Sequence, residues 1–380
     1  MSFELTEKQI AMQQSARKIA KEKIAPRASE IDATNEMPQD IVDALREAGL
    51  LGITVPIKYG GQGGGLTTIC LVIEEIAKAS TPCGCLVYSD SASYMILKLG
   101  GTEEQRKKYL ARLVPARGAM TVGLTEPSCG SDLASMRSRA VRKDGYYLLN
   151  GQKCFISVAL PPELYMIAAK TDPSKGARGI SLFIAEKDTP GLRTGRVEDK
   201  LGIHGLRQFE FFFEDVKVPE ENMVGPEGGG FGILMGLLTH LRLLYGTLGL
   251  AIAQSAFDYI LNYVKGTTVL GQPLAEVQAV QALIAQRSIE IEASRSLFRR
   301  ATAMVDRDEE PGILAAMAKD FGVETATRVT NSAMQILGNE GWMGKHPIER
   351  MMRDVPGIRI GEGTTQIQRM IIARQLLGLR

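Results

Sequence analysis

The segment Arg359-Ile360-Gly361-Glu362-Gly363-Thr364-Thr365 sets one carboxylate between two glycines. Glycine on either side lets the backbone come close to whatever the turn faces, and a Glu beside a pocket suits a general base. The same composition also describes a surface turn with a solvated carboxylate. A second segment, Leu124-Thr125-Glu126-Pro127-Ser128-Cys129-Gly130-Ser131-Asp132, offers hydroxyls and glycine-flanked backbone N–H groups to a ring or a phosphate, or forms a structural turn. The glycine runs at 60–65 and 228–230 lack the strand–helix setting of a dinucleotide loop and read as loops or helix starts. Five cysteines with no CxxC pair and three scattered histidines give no disulfide framework and no expected metal site. Reduced thiols in a cytosolic protein fit best.

These segments need elements to hold them. Thr6 before Glu7, and Thr102 with Gln105, are helix-start signals, and helical spacing recurs at 7–31, around 41–50, at 66–79 and at 102–113. From Ala119 the pattern changes to short apolar runs between Gly, Pro and Asp. Asp144-Gly145 predicts a hairpin, and 164–169, 180–185 and 209–213 predict strands. Helical period returns after Gly229, near 231–265, 274–306, 313–337 and 365–377, with Thr364 or Thr365 as the last cap. The expected class is α+β, mainly α. It comprises an N-terminal helical domain (1–118), a central β-barrel-like domain (119–228) and a C-terminal four-helix bundle (229–380).

Composition narrows the partners. The 380 residues carry 45 Lys+Arg against 43 Asp+Glu, a net charge of +2 that gives no electrostatic reason to bind nucleic acid. Residues 1–6 show neither the basic start nor the apolar core of a signal peptide, and the apolar stretches read as too short or too polar for a bilayer. A cytoplasmic protein without membrane insertion is expected.

Five segments, in order and spanning nearly the whole chain, resemble the acyl-CoA dehydrogenase family. Leu124–Asp132 resembles its L-T-E-P-x-x-G-S-D signature, and Gly151-Gln152-Lys153-Cys154-Phe155-Ile156-Ser157 the segment ending in W-I-T. Lys200–Ile203 with Phe213–Pro219, then Gln335–Gly341 (Q-x-x-G-G-x-G), and Glu362–Arg369 (E-G-T-x-x-I-Q-R) complete the set. The resemblance implies FAD, with Leu124, Thr125, Gly130 and Ser131 at the flavin ring or nearby substrate, and Phe155 and Ser157 against the ring. It also implies Thr364 and Gln366 as FAD contacts, Gln335 and Gly338 as contacts supplied across a dimer, and Ser131, Arg242, Gly361 and Gly363 toward the acyl-CoA. Glu362 takes the place of the base that removes the substrate α-proton while flavin N5 accepts the β-hydride. The alternative base position, directly before Arg242, holds Leu241. An electron-transferring flavoprotein as acceptor and a homotetramer follow by the same resemblance.

Three positions depart from the family pattern. Thr267 replaces an arginine that contacts the partner's FAD. Gly361 replaces the tyrosine before the base, which predicts a wider pocket and a freer loop. Asp90 puts an acid in the helix that lines the acyl pocket, either as a structural turn residue or as a second pocket carboxylate. A widened pocket with Asp90 points to a cyclic or branched carboxyl-CoA such as a cyclohexane-carboxyl thioester. The alternatives are 1,4-elimination on a cyclohexene ring with Asp90 as base, a short- or medium-chain acyl-CoA dehydrogenase, and a related oxidase.

Overall fold

The computed structural model describes residues 4–114 and 119–379. The expected boundary after residue 118 falls at residues outside that range. Thr6 closes a capping box with Gln9 and starts α1 (Glu7–Ile19). The helix passes through a π-turn at Ala20–Ile24 and a 3-10 turn at Ala25–Arg27, where Pro26 removes a backbone donor. Five more helices follow: α2 (Ala28–Thr34), α3 (Gln39–Glu47), α4 (Leu66–Ala79), α5 (Thr81–Gly100) and α6 (Glu103–Leu113). Thr102 and Gln105 form the expected second capping box. α5 has no clear apolar stripe in the sequence because most of it is buried on all sides.

The middle region holds β1 (Ala119–Gly123), β2 (Arg139–Arg142), β3 (Tyr146–Val158), β4 (Pro162–Lys170), β5 (Ile180–Glu186), β6 (Leu192–Val197), β7 (Arg207–Pro219) and β8 (Met223–Val224). They make one mixed sheet in the order β6-β7-β3-β2-β4-β5-β8, with β1 added parallel to β4. The expected barrel-like domain is therefore seen as a sheet with β6 and β8 at its ends. Asp144-Gly145 turns β2 into β3 as predicted, with Gly145 at φ 76. Phe209, Phe211 and Phe213 alternate inward from β7 and build the sheet's own core with Tyr147, Tyr165 and Phe183.

The chain then re-enters helices: α7 (Gly230–Gly266), the short strands β9 (Thr268–Val269) and β10 (Gln272–Pro273), α8 (Gln278–Val305), α9 (Ile313–Leu337), α10 (Asn339–Trp342), α11 (Ile348–Ile360) and α12 (Thr365–Leu376). α9 packs on α7, α8, α11 and α12. By length and composition α7 could cross a membrane, which corrects the expectation that no stretch could. Its apolar character has a local cause: it touches α4, α5, α8, α9 and α11, and 61% of its most apolar window is buried in the fold. The glycine runs behave as loops and starts, with Gly65 capping α4 and Gly230 opening α7.

Candidate active site

Glu362 sits on the turn between α11 and α12. It adopts φ 53, a left-handed conformation that side chains rarely take, and Gly363 follows at φ 85. A turn of that kind persists only where its surroundings hold it, at a cost of about 1–3 kcal/mol. Two side chains do so here. Lys319, fully buried on α9, donates from Nζ to the carbonyls of both Gly361 and Gly363. Gln368 Nε2 on α12 donates to Gly363 O at 2.8 Å and Glu362 O at 3.3 Å. Thr364 Oγ1 accepts from Ile367 N at 3.3 Å and caps α12.

The carboxylate faces ionisable groups from three helices. Tyr88 on α5 donates its hydroxyl to Glu362 Oε1. Burial raises the Glu362 pKa, while the Tyr88 bond and the Lys319 and Arg242 charges pull it back. Burial pushes Lys319 down to about 7 against the upward pull of Glu362. Arg242 on α7 is lowered by burial, again opposed by Glu362. Its Nε is buried and unpaired among the described residues.

Gly361 gives a different result from the one its sequence implies. Its φ of −62 is open to any residue, so conformational freedom is not the reason for glycine there. A Cβ at that position would meet ring atoms of Tyr245 at 2.6–2.8 Å. Tyr245, on α7, fills the space and lies against the Tyr88 ring, with centroids 5.2 Å apart. The loop is not freed either, because Lys319 and Gln368 pin it. A phenol stays beside the base, supplied from another helix.

Asp90 lies two residues beyond Tyr88 on α5, about 200° around the helix. Its Oδ2 accepts from Gly52 N at 2.5 Å. Burial pushes its pKa up to about 6, with the Gly52 bond and Arg46 acting in the opposite direction. The carboxylate is therefore engaged with the loop at Gly52, while Tyr88 reaches Glu362.

The sheet supplies a second face. Cys154 N donates to Thr125 O at 3.0 Å, joining the Leu124–Ser131 segment to β3 beside Phe155. Beneath it Lys153 Nζ, fully buried, bonds Glu126 Oε1 at 2.8 Å and Leu124 O at 3.2 Å, and Glu126 also accepts from Arg137 N and Ser138 N. Phe155 stands at φ 57 where the β3–β7 register shifts, and this backbone turns its ring outward, 60% exposed. Gln208 Nε2 bonds Phe155 O at 3.3 Å and Ser157 Oγ at 3.2 Å. A Cβ on Gly130 would find no atom within 4 Å. An outward aromatic ring, hydroxyls at 125 and 157 and open glycine backbone fit a planar heterocycle such as the FAD ring.

The remaining predicted residues lie elsewhere. Gln335 is exposed near the end of α9, and Gly338 caps it at φ 58, ψ −134, with open space where a side chain would be. Sixteen residues of helix, about 24 Å, separate Gln335 from Lys319, so this chain does not bring Gln335 to its own Glu362 turn. Gln366 is exposed on α12. The β9–β10 turn after Thr267 is Leu270-Gly271, with Leu270 99% exposed. Among the described residues no group of three or more His, Cys, Asp or Glu side chains could hold a metal ion. Sequence reading missed Tyr88, Tyr245, Lys319 and Gln368. Two of them carried a signal: Gln368 stands at the Gln of the E-G-T-x-x-I-Q-R match, and Lys319 is a lone cation after the alanine-rich run Ala315-Ala316-Met317-Ala318 that needs a buried partner.

Three family models match in order: the acyl-CoA dehydrogenase N-terminal domain at residues 6–117, the middle domain at 121–216 and the C-terminal domain at 228–377. The cyclohex-1-ene-1-carbonyl-CoA dehydrogenase of Syntrophus aciditrophicus (strain SB) is 40% identical over 376 residues, 98% of this chain and 91% of that protein. The butyryl-CoA dehydrogenase structure from Megasphaera elsdenii superposes with a TM-score of 0.96 at 35% identity, covering 99% of this chain and 100% of that one. A chain in a solved structure of the electron transferring flavoprotein of Acidaminococcus fermentans gives 0.96 at 37%, covering 99% and 100%. The protein is an FAD-dependent oxidoreductase acting on CH–CH bonds. More particularly, it belongs to the acyl-CoA dehydrogenase family.

Proposed function

We propose that this chain dehydrogenates a cyclic or branched carboxyl-CoA thioester, with Glu362 removing the α-proton. One observation carries the reading: Glu362 is a carboxylate made more basic by burial, on a turn clamped by Lys319 and Gln368, with Arg242 facing it. Bound FAD supplies the acceptor for the β-hydride. Leu124, Thr125, Gly130, Ser131, Phe155 and Ser157 would hold its ring; Thr364 and Gln366, with Gln335 and Gly338 from a second copy, would hold the rest. Arg242 offers an unpaired buried donor to the CoA moiety, and Gly363 keeps the backbone close to the acyl group, while Tyr245 fills the space beside Gly361. Fixed alignment of proton and base contributes much of the rate. The raised pKa of Glu362 improves its match to the weakly acidic α-proton. The cyclohexene-carbonyl relative supports the ring-shaped acyl group. The resemblance supports an electron-transferring flavoprotein as acceptor and a homotetramer, and the five free cysteines support a cytoplasmic site of action.

The test is anaerobic bleaching of the FAD absorbance of the loaded protein by linear, branched and cyclic acyl-CoAs. Cyclohexane- and cyclohexene-carbonyl-CoA should bleach fastest. A clear preference for butyryl- or octanoyl-CoA would overturn the acyl assignment while leaving the dehydrogenase reading intact.

A second reading is 1,4-elimination with Asp90 as base. Its support is the cyclohex-1-ene-1-carbonyl-CoA dehydrogenase relative, together with a buried carboxylate at Asp90 on the helix that carries Tyr88. The position of the new double bond in the product of cyclohex-1-ene-1-carbonyl-CoA separates the two.

A further inference from the structure

Tyr88 and Tyr245 belong to none of the matched motifs, yet one touches the carboxylate of Glu362 and the other the glycine beside it. We propose that Tyr88 is a positioning residue for Glu362, and that Tyr245 holds Tyr88 in that role from the space the missing side chain of Gly361 leaves. The inference rests on the reading of Glu362 as the base.

The geometry is a relay of contacts. Gly361 leaves room for the Tyr245 ring, and any Cβ there would collide with it. Tyr245 reaches past to the α11 backbone, its hydroxyl 3.5 Å from Gly357 O, and its ring tilts 54° against that of Tyr88. The Tyr88 hydroxyl then donates to Glu362 Oε1. Two aromatic residues on different helices thus fix where one carboxylate oxygen points. The second oxygen is left for the substrate.

Charge sets the consequence. The ionisable groups acting on Glu362 are Tyr88 on α5, Arg242 on α7 and Lys319 on α9, and Tyr245 is itself coupled to the Glu362 charge. Asp354 on α11 and Cys85 on α5 act on Tyr245, and Cys85 also on Tyr88. Burial keeps the Tyr88 phenol protonated far above the usual range, so it remains a donor throughout the working pH range. A donated hydrogen bond favours the ionised carboxylate. Removing it raises the Glu362 pKa and moves the acid limb of kcat/KM to higher pH. Loss of a bond to a charged acceptor corresponds to about tenfold or more in acidity, or roughly one pH unit.

The experiment compares FAD-loaded wild type with Tyr88→Phe, Tyr245→Leu and Glu362→Gln. It records pH profiles of kcat/KM with cyclohexane-carbonyl-CoA. It also follows the infrared carboxyl band of Glu362, identified by its loss in Glu362→Gln, without substrate. Tyr88→Phe should move both the limb and the band titration upward by about one unit; Tyr245→Leu should move them less, in the same direction. Should Tyr88→Phe prove unstable, Gly361→Ala drives a methyl group into Tyr245 and must shift the limb upward too. An unmoved limb and band in Tyr88→Phe, or in Gly361→Ala where that variant replaces it, would overturn the proposal. Turnover by Glu362→Gln at near wild-type rate would instead remove the base reading.

Discussion

The face around Phe155 and the turn at Glu362 carry the two halves of the proposed site, and they are built on opposite principles. The first lies open on a sheet: Phe155 is 60% exposed and Gly130 has free space beside it. Its single buried charge pair, Lys153–Glu126, lies below the surface and serves to anchor the Leu124 segment. The second is gathered from α5, α7, α9 and α12, and each charged or phenolic group there feels the carboxylate. A planar cofactor needs a shaped surface that it can reach. A base needs a dry, fixed setting that raises its pKa without leaving it uncompensated. The first can be encoded in one short stretch of chain, whereas the second requires tertiary structure.

The contrast can be broken at either end. Lys153→Met leaves Glu126 as a buried, unpaired charge and should cost about 3–5 kcal/mol. Chemical denaturation should show this as a lower midpoint together with weakened FAD binding. An unchanged midpoint would mean that the pair is not the anchor of this face. Lys319→Met removes the clamp on the Glu362 turn; misplacing a base by about 1 Å costs on the order of a hundredfold in rate. Steady-state kinetics should therefore show kcat/KM falling about a hundredfold, with FAD still bound.

Asp90→Asn shows to which half Asp90 belongs. Burial raises its pKa from 3.8 to about 6, so the native state binds the extra proton in that window and loses stability as pH rises through it. The neutral amide keeps an acceptor for Gly52 N. It should stabilise the fold by about 2 kcal/mol above pH 6, allowing for partial exposure, and by little near pH 4. Thermal melts at the two pH values read this directly. If melting is unchanged while cyclohexene-carbonyl-CoA turnover collapses, Asp90 belongs to the chemistry. The smallest effect is expected at Phe155→Ala, where loss of a ring contact worth about 0.5–1.5 kcal/mol should weaken FAD binding by roughly tenfold or less. Titration of the apoprotein with FAD measures it.

This difference also explains what could be read from the sequence. Capping boxes at Thr6 and Thr102, the Asp144-Gly145 hairpin and the final cap at Thr364 are local signals, and each formed. The Leu124 and Gly151 segments lie apart in sequence but are ordered motifs, so the resemblance carried them. The missing tyrosine at Gly361 was legible as an absence, whereas its replacement by Tyr245 from 116 positions earlier was not. Tyr88 has ordinary neighbours, and Gln368 stood in a matched motif without a role; only packing shows that they touch the turn. α11 escaped notice because Pro356 interrupts its pattern.

Everything at the turn depends on Glu362 taking the proton. Stopped-flow bleaching of FAD-loaded Glu362→Gln by the best substrate tests it most directly, with FAD content checked by absorbance. With Glu362 as the base, FAD occupancy stays full and bleaching slows by a factor of about 10² to 10⁴, the usual contribution of a general base. Bleaching at near wild-type rate, with the same product, would contradict it.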